Sequence, residues 1–177
     1  EGPTEYLLIQ KAYEEIVEKL LTEEEKLKRN KSNIETEGIE IISCGGVGYS
    51  NYLEIAKCID KRVAVITDND FITNPNKISQ IEEFNQNNKN IQIFTDSNVD
   101  NWTWEVCLYN LNKDILKEKI PLKENAKYLY ECKNATYEGC LGKMLNQKTE
   151  VAYFLIKEDI SLNYPKYIEE CIKWIRK

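Results

Sequence analysis

Histidine is absent from all 177 residues. Chemistry that leans on imidazole therefore has no donor: Ser-His-Asp and Cys-His nucleophilic systems are excluded, and zinc sites built from Cys and His are disfavoured. Six cysteines (Cys44, Cys58, Cys107, Cys132, Cys140, Cys171) occur without a CxxC pair. They read as small buried hydrophobes in a reducing compartment. Long apolar runs are missing too. Ile39 to Cys44, interrupted by Glu40, and Val63 to Ile66 fall far short of the ~20 residues of a membrane span. Neither end carries a signal-peptide pattern, so the expected location is the cytoplasm with no membrane partner. Positive charge is in deficit, with 24 Lys and Arg against 30 Asp and Glu and a net charge of −6. That excludes a nucleic-acid platform spread over the whole surface but not a local site where divalent cations reverse the sign. Any acid/base or metal chemistry must come from carboxylates, Lys, Tyr or water.

What is present is one domain's worth of alternating helix and strand signals. Leu8, Ile9, Ala12, Tyr13, Ile16, Val17, Leu20 and Leu21 recur at helical spacing, which predicts a core-facing helix from Thr4 to about Lys28. Ile39 to Cys44 reads as a buried strand. Gly45 to Asn51 follows as a tight turn that lacks the Lys-Ser/Thr of a phosphate loop, and Tyr52 to Ile59 as a short helix. Arg62 to Asp70 (RVAVITDND) is a strand ending in acids, Ile78 to Asn85 a helix, and Asn90 to Asp96 (NIQIFTD) another strand. Ser97 to Leu111 begins as a loop and continues as a helix. Pro121 to Leu145 offers only a strand at Lys127 to Glu131, and Lys148 to Lys157 and Pro165 to Arg176 are closing helices. Strands apolar on both faces and alternating with helices predict an α/β fold with a mostly parallel sheet flanked by helices. The order also calls for an apolar strand before Glu1, so the chain is expected to be cut from a longer protein just after it.

Ligands gather outside the carboxyl ends of parallel strands, and three acidic elements fall there. Glu1 and Glu5 lie at the first turn, Asp68 and Asp70 at the end of the VAVI strand, and Asp100 and Glu105 after the IQIF strand. Asp68 and Asp70 are two apart and in an extended chain point to one side. Convergent carboxylates repel unless a cation intervenes, which points to a hard divalent ion, Mg²⁺ or Mn²⁺. Each piece also has a plain alternative: DND as turn chemistry, EGPTE as a helix start answering the dipole, and WTWE as a core-anchoring helix start capped by Thr103.

The order Glu1-Gly2-Pro3-Thr4-Glu5, then SCGGVG, then Thr67-Asp68-Asn69-Asp70, then Thr103 to Glu105 resembles the Toprim domain. More closely it resembles the version found in OLD-family (overcoming lysogenization defect) ATP-dependent endonucleases, which include Gabija-type and retron-associated anti-phage nucleases. The resemblance implies a Rossmann-like Toprim fold over residues 1–177, cleaving or nicking DNA with two metal ions. It implies metal ligands at Glu1, Glu5, Asp68, Asp70, Asp100 and Glu105 and catalytic roles for Glu1, Asp68 and Lys148, with Lys143 the rival lysine. It also implies an upstream ATPase domain, where ATP would act, and assembly as a homo-oligomer through that domain. Two other readings stand beside it: a Mg²⁺-dependent aspartyl-phosphate domain, receiver-like or haloacid-dehalogenase-like, with Asp68 phosphorylated, and a non-catalytic Toprim assembly module.

Overall fold

The computed structural model describes every residue except 1, 29–32, 46–48, 60, 71–73, 124–125 and 133–134. Glu1 and the middle of the glycine turn therefore lie outside the described residues.

The first helix, α1 (Pro3–Leu20), buries Leu8, Ile9, Ala12, Tyr13, Ile16 and Val17 along the stripe that its periodicity predicts. It ends before Lys28, the expected limit. Leu21 turns extended with ψ of 142°, and Thr22 and Glu25 form a reciprocal capping box: Thr22 N–H donates to Glu25 Oε2 at 2.8 Å and Glu25 N–H to Thr22 Oγ1 at 3.3 Å. That pairing starts a separate short helix, α2 (Glu23–Lys28). The strand expected at Ile39 to Cys44 is also corrected, because this stretch has no ladder partner among the described residues. Ile39 and Ile41 rest on the core while Ile42 is 62% exposed. Its β-branched residues signal a strand, but a central strand needs apolar contact on both faces.

After α3 (Tyr49–Cys58), β1 (Val63–Ile66) and β2 (Ile91–Phe94) pair in parallel, Val63 with Ile91 through Ile66 with Phe94, joined by α4 (Lys77–Asn87). Alternation divides their side chains. Val63, Val65, Ile91 and Ile93 pack with Leu53 and Ala56 of α3 and Ile81 and Phe84 of α4. Ile66 and Phe94 face the main core on the other side, where Phe94 meets Trp174 at 6.0 Å. The Asn85 amide donates to Ile93 C=O and accepts from Ile93 N–H, both at 2.8 Å, so a side chain occupies part of the edge of β2.

The main core is closed by α5 (Trp104–Leu111), α6 (Lys113–Lys119), α7 (Gly139–Asn146), α8 (Lys148–Lys157) and α9 (Lys166–Ile175). Between α6 and α7, β3 (Tyr130–Cys132) and β4 (Ala135–Tyr137) make an antiparallel hairpin. The strand expected over Lys127 to Glu131 is thus shorter and shifted, and its partner strand carries no sequence signal of its own. The α/β class, a parallel pair flanked by helices, is the one expected. Among the described residues no helix is long and apolar enough to cross a membrane.

Candidate functional site

At the carboxyl end of β1, three consecutive side chains go to three destinations. Asp68 Oδ1 accepts the N–H of Trp104 at 2.9 Å, so an acid from one element caps the first turn of α5, where backbone donors are otherwise unpaired. Asn69 is 1% exposed, and its Nδ2 donates to the carbonyls of Asp96 (3.3 Å), Asn98 (2.8 Å) and Asn101 (3.0 Å). Asp70 takes a left-handed backbone, φ 48°, which Asp tolerates better than most residues, and its Oδ2 pairs with Lys77 Nζ at 2.6 Å. Lys77 also donates to Thr67 Oγ1 at 3.0 Å. The expectation that Asp68 and Asp70 share one side is therefore corrected: it assumed an extended chain, and the turn at Asp70 breaks the alternation.

Two further acids act electrostatically on Asp68. Glu5, 7% exposed, comes from the first turn of α1 and accepts the N–H of Gly2 at 3.0 Å. Glu105, 2% exposed, comes from the first turn of α5. Its Oε2 accepts from Thr103 Oγ1 at 2.5 Å and from Lys148 Nζ at 2.9 Å. Thr103 stands at the position before α5, as the capping reading expected, but its hydroxyl serves Glu105 and not the helix backbone.

The electrostatics bind these groups into one unit. Burial, then Glu5 and Glu105, push Asp68 up to about 7 against the opposing pull of Lys148 and the Trp104 N–H. Burial and then Glu105 raise Glu5 in the same way. For Lys148 burial works against the charge, yet Glu105, Asp68 and Glu5 outweigh it and hold the ammonium above its ordinary range. Lys148 answers two buried carboxyl groups, Glu5 and Glu105, and the half-buried Asp68, an arrangement that carries a surplus of negative charge.

The remaining expected residues fall elsewhere. Asp100 is exposed on a turn, its N–H bonded to Asn98 Oδ1 at 3.0 Å. The acid this loop turns inward is Asp96, which accepts from Asn98 N–H, from the Asn101 amide and from the Cys107 thiol. Of the rival lysines, Lys148 lies at the carboxylates, whereas Lys143 donates to Pro121 C=O at 2.7 Å and sits 5.4 Å from the Tyr128 ring. Asn69 and Lys77 escaped the sequence reading. Their only signal, an Asn between two acids and a Lys before a helix, is shared by ordinary turns.

Among the described residues no three acid, thiol or imidazole side chains are gathered closely enough to cage an ion. The carboxylates are turned to protein donors: Glu5 to Gly2, Asp68 to Trp104, Glu105 to Lys148 and Thr103. Their chemistry nevertheless fits a hard divalent cation. All are oxygen donors, Glu5 and Glu105 are buried and Asp68 half-buried, they repel one another, and Glu105 Oε1 is buried with no hydrogen-bond partner, an orphan that costs about 1–3 kcal/mol.

Residues 1–70 match the family model described as overcoming lysogenization defect protein-like, TOPRIM domain. The matched span contains Glu5, Asp68 and Asp70, while Glu105 and Lys148 come from the remainder of the chain. No curated protein and no solved structure matches the chain. TOPRIM domains of this kind are typically metal-dependent, act on nucleic acids and bind divalent ions such as Mg²⁺. With its α/β fold and acids at the end of a parallel strand, the chain is similar over its first 70 residues to the TOPRIM domain of overcoming lysogenization defect-like proteins.

Proposed function

We propose that the domain is a metal-dependent DNA endonuclease that nicks or cuts DNA by phosphodiester hydrolysis with two divalent ions, Mg²⁺ or Mn²⁺. The observation that carries this reading is the electrostatic coupling of buried Glu5 and Glu105 and half-buried Asp68 with the ammonium of Lys148, which pairs with Glu105. Glu5, Asp68 and Glu105 would hold a cation, with Glu1 added on the strength of the family resemblance. When bound, such ions lower the pKa of an attacking water and offset charge on the leaving oxygen. The Trp104 N–H fixes the orientation of the Asp68 carboxylate, and Asn69 anchors the loop that delivers Thr103, Trp104 and Glu105. Lys148, kept charged by its acidic neighbours, offsets negative charge that develops on the phosphate in the transition state. The same reading extends to a longer cytoplasmic protein with an upstream ATPase domain, assembled as a homo-oligomer and serving anti-phage defence.

Nicking of supercoiled plasmid by the full-length parent protein, with Mg²⁺ or Mn²⁺, tests it. Asp68→Asn and Glu105→Gln should each lower the rate at least a hundredfold while circular dichroism shows an intact fold. An Asp68→Asn protein that nicks at the wild-type rate overturns the proposal.

A further inference from the structure

Pro121 to Leu145, the stretch least legible in the sequence, folds into a feature that the metal site does not use. Tyr130 and Tyr137 are directly opposed across the β3–β4 hairpin with rings 6.5 Å apart. Trp102 joins the same cluster, stacked on Tyr130 at 6.3 Å with 20° between planes and 5.9 Å from Tyr137. Its indole N–H donates to Tyr137 Oη at 3.1 Å. All three rings are only half-buried. Directly opposed residues share a face, and Glu131, between Tyr130 and Cys132, falls on the other one. The aromatic face of the hairpin therefore presents no acid from its own strands.

Contacts with α7 also hold the hairpin in place. Asn146 of α7 donates to Leu129 C=O at 2.6 Å. Gly142 packs so closely that a Cβ would come within 2.0 Å of Tyr128 O and 2.6 Å of Tyr137 O. Position and charge give the rings a different use. Trp102 is two residues before Trp104, the residue bonded to Asp68, so its Cα is within about 7 Å of that of Trp104. The segment 121–148 holds five lysines against three glutamates in a chain of net charge −6, and Lys123 and Lys127, leading into the hairpin, are exposed.

We propose that Trp102, Tyr130 and Tyr137 form a base-stacking platform that receives single-stranded DNA beside the carboxylate site, with the exposed Lys123 and Lys127 meeting its phosphates. Ring faces stack on bases that have left their duplex partners, and such stacking tolerates any sequence. A paired duplex offers only groove edges and backbone to the same rings. The inference rests on the nuclease reading for its choice of DNA and deepens it, making unpaired or locally opened DNA the preferred substrate.

Binding is the test, kept apart from cleavage by fluorescein-labelled phosphorothioate oligothymidine and a duplex of equal length, read by anisotropy with melting temperature as a control. Trp102→Ala and Tyr130→Ala should weaken single-strand binding roughly tenfold, within the range for loss of one stacked base, and leave duplex binding unchanged. Trp102→Phe keeps a ring and should retain affinity while losing the tryptophan fluorescence quenching that a stacked base causes in the wild type. If the alanine variants prove unstable, Trp102→Phe still decides: quenching that survives in it places the bases elsewhere and overturns the platform. Equal weakening for duplex and single strand also overturns it, as does tighter binding of an RNA strand than of DNA. A wild type that binds and nicks DNA while all three variants bind alike removes the platform alone. A wild type that binds no DNA in either form removes the nuclease reading and the platform with it.

Discussion

A carboxyl that titrates at about 7 in the fold and at ~3.9 in an unfolded chain binds more protons folded than unfolded between those values. Stability contributed at Asp68 is therefore fully present below about pH 4 and is lost as pH rises through about 7, a loss on the order of a few kcal/mol. Asp68→Asn keeps an oxygen for the Trp104 N–H and removes the charge. It should raise the melting temperature at pH 8 and leave it near wild type at pH 4; a variant less stable than wild type at pH 8 would contradict the buried-charge account. Lys148 presents the opposite case. Lys148→Met strips Glu105 of its cation, and the expected loss is about 1–3 kcal/mol at neutral pH, below that of a fully buried pair because the Lys148 side chain is 37% exposed. Adding Glu105→Gln should recover most of it in urea unfolding, since the remaining partner is then neutral. Strictly additive losses would mean that the two side chains do not act as a pair.

The element that shapes the site is the loop from Asp96 to Thr103, and Asn69 is its anchor. Periodicity predicted the strand before this loop and the helix after it, because those signals repeat within a few residues. It could not show that one buried amide would meet three carbonyls 27, 29 and 32 residues away. Asn69→Ala leaves those carbonyls without that donor and should cost about 1–3 kcal/mol, with hydrogen-exchange protection falling first over 96–105. Protection unchanged there would show the loop to be held by its own turns. The hairpin depends in turn on Gly142, where an added methyl meets backbone carbonyls and not a flexible side chain. Gly142→Ala should displace β3 and β4 from α7 and destabilise by about 1–3 kcal/mol. A crystal structure of the variant with the hairpin in place would refute this.

For the whole molecule, the surplus of buried negative charge predicts a measurable response to divalent ions. Mg²⁺ or Mn²⁺ competes with protons for the same carboxyl oxygens, so the rise in melting temperature should be largest at pH 8 and fade as pH falls through about 7. It should be absent in Asp68→Asn and Glu105→Gln. A shift of equal size in those variants would place the ion elsewhere. The α/β class and the parallel β1–β2 pair were legible at this scale, since strands apolar on both faces and a helix between them leave few other arrangements. The break at Leu21 and the fate of Ile39 to Cys44 were not. Both hang on which neighbour a segment finds, and hydropathy records that a face is apolar without saying what covers it.

Residue order by itself determined that acids would stand at the carboxyl ends of β1 and β2 and that histidine chemistry was unavailable, and it put Glu1, Glu5, Asp68, Asp70, Asp100 and Glu105 together without ranking them. Only the tertiary structure decided which acids meet. Glu105 turns inward to Lys148 while Asp100 stays exposed, and Asp70 leaves Asp68 for Lys77 through one left-handed residue. The division has a physical cause: element identity follows from spacings of two to four residues along the chain, whereas the meeting of side chains follows from backbone turns in loops and from contacts tens of residues apart.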